Sequence, residues 1–233
     1  KARITADPVV SEGKIFTLDA GATVAATSTD GASLWSVDLT PDGDSTADAT
    51  GGGVAAGSGK VFVSSGFGRL TSLDAATGAI LWQQKLEGTG SGTPVVANGL
   101  VYVMAGDDTG WAVDVASGRV RWQLSGTPDV ANVMGAPAPA ITGDLAIFAF
   151  GDGEVQSAFA KGGLPRWASQ LAGQRRFDAG SKVSDITGDP VVSGGTLYVG
   201  SAMGRLVAMR PESGERIWTA SEGTTGPVWP VAG

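Results

Sequence analysis

Along its length the chain alternates short apolar runs with glycine-rich polar turns. Segments such as Lys60-Val61-Phe62-Val63 and Thr196-Leu197-Tyr198-Val199 are rich in β-branched and aromatic residues and bounded by Gly, a pattern that predicts strands. No stretch carries the three-and-four apolar spacing of a helix face. The strands come in units. A unit opens on Pro-Val-Val or a relative: Asp7-Pro8-Val9-Val10, Thr93-Pro94-Val95-Val96, Ala138-Pro139-Ala140-Ile141 and Asp189-Pro190-Val191-Val192. Proline is tolerated there because it starts a strand rather than interrupting a ladder. A second strand and, after another Gly turn, a third follow, as in Gly68-Arg69-Leu70-Thr71-Ser72-Leu73-Asp74. The fourth carries a tryptophan, as in Ala79-Ile80-Leu81-Trp82-Gln83-Gln84-Lys85-Leu86.

The tryptophan marks the repeat. Five times the chain runs Gly, three residues, Trp: Gly31 to Trp35, Gly78 to Trp82, Gly118 to Trp122, Gly163 to Trp167 and Gly214 to Trp218. The tryptophans are 47, 40, 45 and 51 residues apart, the period of a four-stranded propeller blade of roughly 40–50 residues. The glycine supplies positive φ in the hairpin between third and fourth strands. The indole then lays a flat surface, on the order of 200 Å², against the neighbouring blade. The fold expected is an all-β propeller of four-stranded antiparallel blades over 4–39, 52–86, 91–124, 135–171 and 188–220, with the opening strand of a further blade at 226–233. Trp111 and Trp229 stand outside the repeat position, and Trp111 is expected to be a packed strand residue.

Composition narrows the function classes. Apolar residues make up 42% and charged residues 17%, which argues for a packed core. The net charge is −7 and the cations are scattered, so no basic face is offered to nucleic acid. Cysteine and histidine are both absent, which removes disulfides, thiolate nucleophiles and the commonest general base and metal ligand. The compartment stays open on this ground. No apolar run reaches the ~20 residues of a membrane-spanning helix. The chain starts at Lys1 without a signal-like segment, and is expected to be part of a longer protein.

Ala75-Ala76-Thr77-Gly78-Ala79-Ile80-Leu81-Trp82, with close variants at 114–122 and 211–218, resembles the tryptophan-docking motif of PQQ-like propellers, and the resemblance covers essentially the whole chain. Such propellers have about eight blades, so the resemblance implies a fragment of about five blades plus an opening strand; a closed five-bladed ring is the alternative. Within that group, segment 163–193 is similar to the BamB lipoproteins of outer-membrane β-barrel assembly. It carries Gly-Gly-Leu-Pro-Arg-Trp-Ala-Ser-Gln-Leu, a polar connection 172–183, and Ser184-Asp185-Ile186-Thr187-Gly188-Asp189-Pro190-Val191-Val192. Val133-Met134-Gly135-Ala136-Pro137-Ala138-Pro139 stands where that family has an apolar-Arg-Gly-x-x-Ala-Pro segment.

The resemblance implies a non-catalytic scaffold on the periplasmic face of a Gram-negative outer membrane. Two inter-blade loops would dock on the soluble domains of the barrel insertase BamA, with unfolded outer-membrane proteins as further clients. Carried over by position, Asp185 matches the first acidic contact and Val133 an apolar one. Met134 replaces the family's arginine, and Thr187 its second acidic residue. Arg175, Arg176, Phe177 and Asp178 complete the candidate partner-binding set: cations, an aromatic ring and carboxylates in one loop suit protein docking. The lipid anchor is implied by the resemblance alone, since the chain holds no cysteine to carry it.

An enzyme reading competes, because quinoprotein dehydrogenases share the docking motif. They hold PQQ over calcium and commonly carry a neighbouring-cysteine disulfide, which cannot form here. Asp107, Asp108, Asp152 and Glu154 lie beside glycines in expected hairpin turns, where solvated carboxylates are the simpler reading than a calcium loop. No catalytic, cofactor-binding or metal-binding residue is assigned. A peptide- or carbohydrate-binding propeller is the third reading, and it would need exposed aromatics that the docking tryptophans do not supply.

Overall fold

A computed structural model describes residues 3–46, 49, 51–89, 91–126, 136–171, 186, 188–201, 204–224 and 226–230. They form five four-stranded antiparallel sheets, each with its strands in chain order. The first blade is β1 (Val9–Ser11), β2 (Lys14–Leu18), β3 (Thr23–Ser28) and β4 (Ser33–Asp38). The second is β5 (Gly52–Gly57), β6 (Lys60–Ser65), β7 (Arg69–Asp74) and β8 (Ile80–Lys85). The third is β9 (Val95–Ala97), β10 (Leu100–Ala105), β11 (Thr109–Asp114) and β12 (Val120–Ser125). The fourth is β13 (Ala140–Thr142), β14 (Leu145–Ala149), β15 (Glu154–Phe159) and β16 (Pro165–Gln170). The fifth is β17 (Val191–Ser193), β18 (Thr196–Ser201), β19 (Arg205–Met209) and β20 (Arg216–Ala220). First strands of successive blades lie side by side, β1 with β5, β5 with β9, β9 with β13 and β13 with β17. The blades therefore fan out from an axis in the manner of a propeller, with the tryptophan strands outermost.

The middle strands of blades 2 and 3, and β14 of blade 4, are buried on both faces, since each is sandwiched by neighbours. β10 is buried at all six positions, which is why its run Leu-Val-Tyr-Val-Met-Ala is continuous rather than alternating. Outer strands read differently. β8 and β16 alternate exposed and half-buried positions, and Leu34, Ile80, Leu81, Leu164 and Ile217 remain exposed along the rim.

Four first strands begin directly after the proline of their opening motif. The second blade has no such motif. β5 is Gly-Gly-Val-Ala-Ala-Gly, and its glycines are steric necessities: a Cβ on Gly52 would strike the Ser64 carbonyl, and one on Gly53 the Thr93 side chain. Residues 226–230 form no strand, but the Gly226 carbonyl lies where a Cβ on Gly188 would reach.

Candidate functional site

The frame that carries any site here is a series of identical joints. In every blade the third and fourth strands shift register opposite the tryptophan, between Ala26/Thr27, Ser72/Leu73, Ala112/Val113, Ser157/Ala158 and Ala208/Met209. Such a bulge re-aims the side chain beside it. Each of the first four indoles reaches the following blade. The indole N–H of Trp35 donates to the Ala75 carbonyl at 3.2 Å, Trp82 to Val115 at 3.1 Å, Trp122 to Ala160 at 2.9 Å and Trp167 to Pro211 at 2.8 Å. Beneath each ring lies the glycine of that next turn, Gly78, Gly118, Gly163 and Gly214, all at positive φ. A Cβ on Gly118 would sit 2.7 Å from Trp82 Cδ2, so only glycine leaves the indole its seat. Gly31 also has positive φ but faces open space, and Trp218 is 43% exposed.

Trp111 packs inside, 3% exposed, in the cluster with Phe62, Leu70 and Val103; its indole N–H has no hydrogen-bond partner among the described residues. Trp229 is 86% exposed. Tyr102 is buried and its hydroxyl donates to the same Ala160 carbonyl that Trp122 uses, at 3.1 Å; burial pushes its pKa up to about 12.

Two long connections leave this frame, and their described ends converge on blade 4. Where each outer strand ends, the chain is pinned to the turn between its blade's middle strands: Gly126 N–H donates to the Asp108 carbonyl and Leu171 N–H to the Gly153 carbonyl, both at 2.9 Å. These are equivalent positions in adjacent blades, so Gly126 and Leu171 lie at the same end of the propeller. The first connection returns at Ala136, packed against the cluster that holds Leu124 and Phe150. The second returns at Ile186, 2% exposed, in the cluster that also holds Ala140 and Leu171. The candidate partner-binding residues Val133, Met134, Arg175, Arg176, Phe177, Asp178 and Asp185 all fall outside the described residues, as does Thr187.

Two aspartates near these ends do work that the sequence did not reveal. Asp108 is not a solvated turn carboxylate: it is 4% exposed, and its Oδ1 accepts the Gly151 N–H at 3.2 Å, linking the turns of blades 3 and 4. Asp189 Oδ1 accepts the Ala138 N–H at 2.7 Å, linking blades 5 and 4. Burial raises its pKa, the Ala138 bond opposes, and the Asp7 charge adds to the rise. Asp189 and Asp7 share the position before the opening proline, but only the juxtaposition of blades shows what the carboxylate meets. Asp107, Asp152 and Glu154 lie in or beside the turns expected, Asp107 and Asp152 each accepting a backbone N–H two residues on. Among the described residues no group of three or more Asp, Glu, His or Cys is placed to hold a metal ion.

The family model described as outer membrane protein assembly factor BamB matches residues 20–233. A BamB from Yersinia pestis is 28% identical over 176 residues, covering 74% of this chain and 44% of that protein. Among solved structures, BamB from Moraxella catarrhalis superposes with a TM-score of 0.81 at 20% identity, over 96% of this chain and 66% of that one. A quinohemoprotein alcohol dehydrogenase from Pseudomonas putida superposes with a TM-score of 0.75 at 19% identity, over 94% of this chain and 42% of the other. Both structural likenesses speak to the propeller fold. The chain spans about half the length of the curated relatives it matches.

Proposed function

The chain belongs to the family of the outer membrane protein assembly factor BamB, and from that premise we propose that it is a non-catalytic docking scaffold for the soluble periplasmic domains of BamA. The setting is the periplasmic face of a Gram-negative outer membrane. One observation carries the reading: Gly126 and Leu171 hold equivalent positions at one end of the propeller, and Ala136 and Ile186 both pack in clusters that include residues of blade 4. On this reading the loops around 131–137 and 174–188, each joining two neighbouring blades, are what the partner domain binds. The tryptophan joints supply the rigidity, so little ordering is lost on docking. Arg175, Arg176, Phe177 and Met134 are residue types enriched in such interfaces, Asp185 adds a carboxylate for a partner cation, and Val133 adds apolar area. The unpaired edges of outer strands such as β8 and β16 offer extended clients a backbone template.

The test is a titration of BamA soluble periplasmic domains against wild type and an Asp185→Ala, Arg176→Ala double variant, with PQQ plus calcium as a separate titrant. Saturable binding by wild type that weakens at least tenfold in the double variant supports the site. A folded wild-type chain that does not bind sinks the docking role. Stoichiometric PQQ binding would reinstate the dehydrogenase reading.

A further inference from the structure

The variable residues of the Gly-x-x-x-Trp repeat face outward, and the joint is what turns them there. The register shift beside each tryptophan leaves an extra residue on the outer strand. The first two positions of β4, β8, β12, β16 and β20 are therefore both exposed, where simple alternation would hide one. Six of the ten large apolar side chains exposed among the described residues lie between a docking glycine and its tryptophan, Leu164 the most open at 66%. Charge at these positions is uneven. Blades 1 and 2 have none there, whereas in blades 3, 4 and 5 the exposed pairs are Val120-Arg121, Pro165-Arg166 and Arg216-Ile217. Each pair couples one guanidinium to an apolar neighbour, in a chain whose net charge is −7. Arg121 lies 3.2 Å from Asp114, Arg166 sits over the Phe159 ring at 6.0 Å, and Arg216 donates to the Gln170 carbonyl of blade 4 at 3.0 Å. These contacts keep the three side chains on the rim. Glu215, the one acid among the variable positions, is ion-paired with Arg210 at 3.0 Å. Cations a whole blade apart in sequence are thus gathered at one level of the rim. That level is the end opposite Gly126 and Leu171, since the third strand of each blade runs between the two turns.

We propose that the outer rim of blades 3 to 5 lies against an anionic lipid surface, with Arg121, Arg166 and Arg216 among the headgroups and Val120, Leu164 and Ile217 at the acyl boundary. Charge complementarity selects the occupant: the negative excess of the chain lies elsewhere and is repelled by such a surface, so this rim is the side that approaches it. The row is convex and its apolar members are aliphatic apart from Trp218, whereas a protein partner calls for aromatic anchors seated in pockets. A bilayer needs no pocket, and long arginine side chains reach its headgroups from a curved row. The contact is separate from the docking role proposed above and does not depend on it.

The test is co-sedimentation with vesicles of phosphatidylcholine alone and of phosphatidylcholine with an equal part of phosphatidylglycerol. Two triple variants are compared with wild type: Arg121→Ser, Arg166→Ser and Arg216→Ser on the rim, and Lys14→Ser, Lys60→Ser and Lys85→Ser away from it, matched in net charge. Wild type is expected on the phosphatidylglycerol vesicles, with release as salt is raised and at least about tenfold weaker partition onto phosphatidylcholine. The rim triple should lose roughly a hundredfold, about fivefold for each arginine near an anionic surface. The matched triple should lose about threefold or less, since its charges lie beyond the screening length. Leu164→Ser should weaken binding without changing its salt dependence, as loss of an apolar contact does. Thermal unfolding checks that each variant is folded; if the rim triple is not, its three single variants, each about fivefold weaker, decide the matter. Equal losses in the two triples would reduce the attraction to net charge and overturn the placement. Equal binding to both vesicle types overturns the electrostatic basis. A folded wild type that stays in the supernatant with both overturns the membrane occupant and leaves an acidic protein face as what the row fits.

Discussion

At each joint a glycine and a tryptophan from different blades share one space, and single substitutions separate the two contributions. Gly118→Ala forces both an unfavourable φ of 71° and an overlap with Trp82. Gly31→Ala meets only the backbone term, about 1 kcal/mol, because nothing lies within reach of its Cβ. Gly118→Ala should therefore cost about 1–3 kcal/mol more than Gly31→Ala in urea unfolding, and equal losses would refute the seat. Carboxylates of two kinds should separate in an NMR titration. The Thr77 hydroxyl and backbone hold Asp74 below the ordinary 3.8, and those of Ser117, with Arg121 nearby, hold Asp114 below it. Their contribution to stability is present above 3.8 and disappears as pH falls through the depressed values. Asp189 has the opposite sign: its pKa is raised, so its ionised form costs stability once pH climbs through that raised value. Asp189→Asn should match or exceed wild type in Tm at pH 7, with the difference closing as pH drops toward 3.8.

Strands and connections respond to change in different currencies. Replacing residues 174–184 by Gly and Ser at constant length leaves Leu171 and Ile186 in their cluster, so Tm should hold while partner binding is lost. Ile186→Ala, one apolar anchor, should instead cost about 2–4 kcal/mol, read by urea unfolding. Much of the element plan was legible because its signals are local: proline opens the first strand, glycine makes the turn, and tryptophan marks the outermost strand. β5 was harder to read, since its glycines answer to Ser64 and Thr93 across a sheet and a blade boundary, and no short-range pattern reports that. The bulge opposite each tryptophan was hidden for the same reason. Asp108 and Asp189 read as turn and strand-start residues, and their bonds to Gly151 and Ala138 exist only because blades lie edge to edge.

For the molecule as a whole, the joints are equivalent in design but unequal in completeness. Trp122 is 9% exposed with its N–H bonded to Ala160, whereas Trp218 is 43% exposed, with the Tyr198 ring beside it at a centroid distance of 6.1 Å. Trp122→Ala should cost about 3–5 kcal/mol. Trp218→Ala should cost less than half of that in the same urea experiment, and comparable losses would show that unequal seating does not govern stability. The joints also have a direction, because each of the first four indoles lands on the blade that follows it in sequence. A chain emerging amino end first thus cannot seat a tryptophan until roughly another forty residues have appeared. The newest finished blade always presents a bare indole to its surroundings. Assembly is thereby vectorial: every blade waits on its successor, and a pause in delivery leaves one sticky aromatic surface, at a place that moves along the chain as it grows.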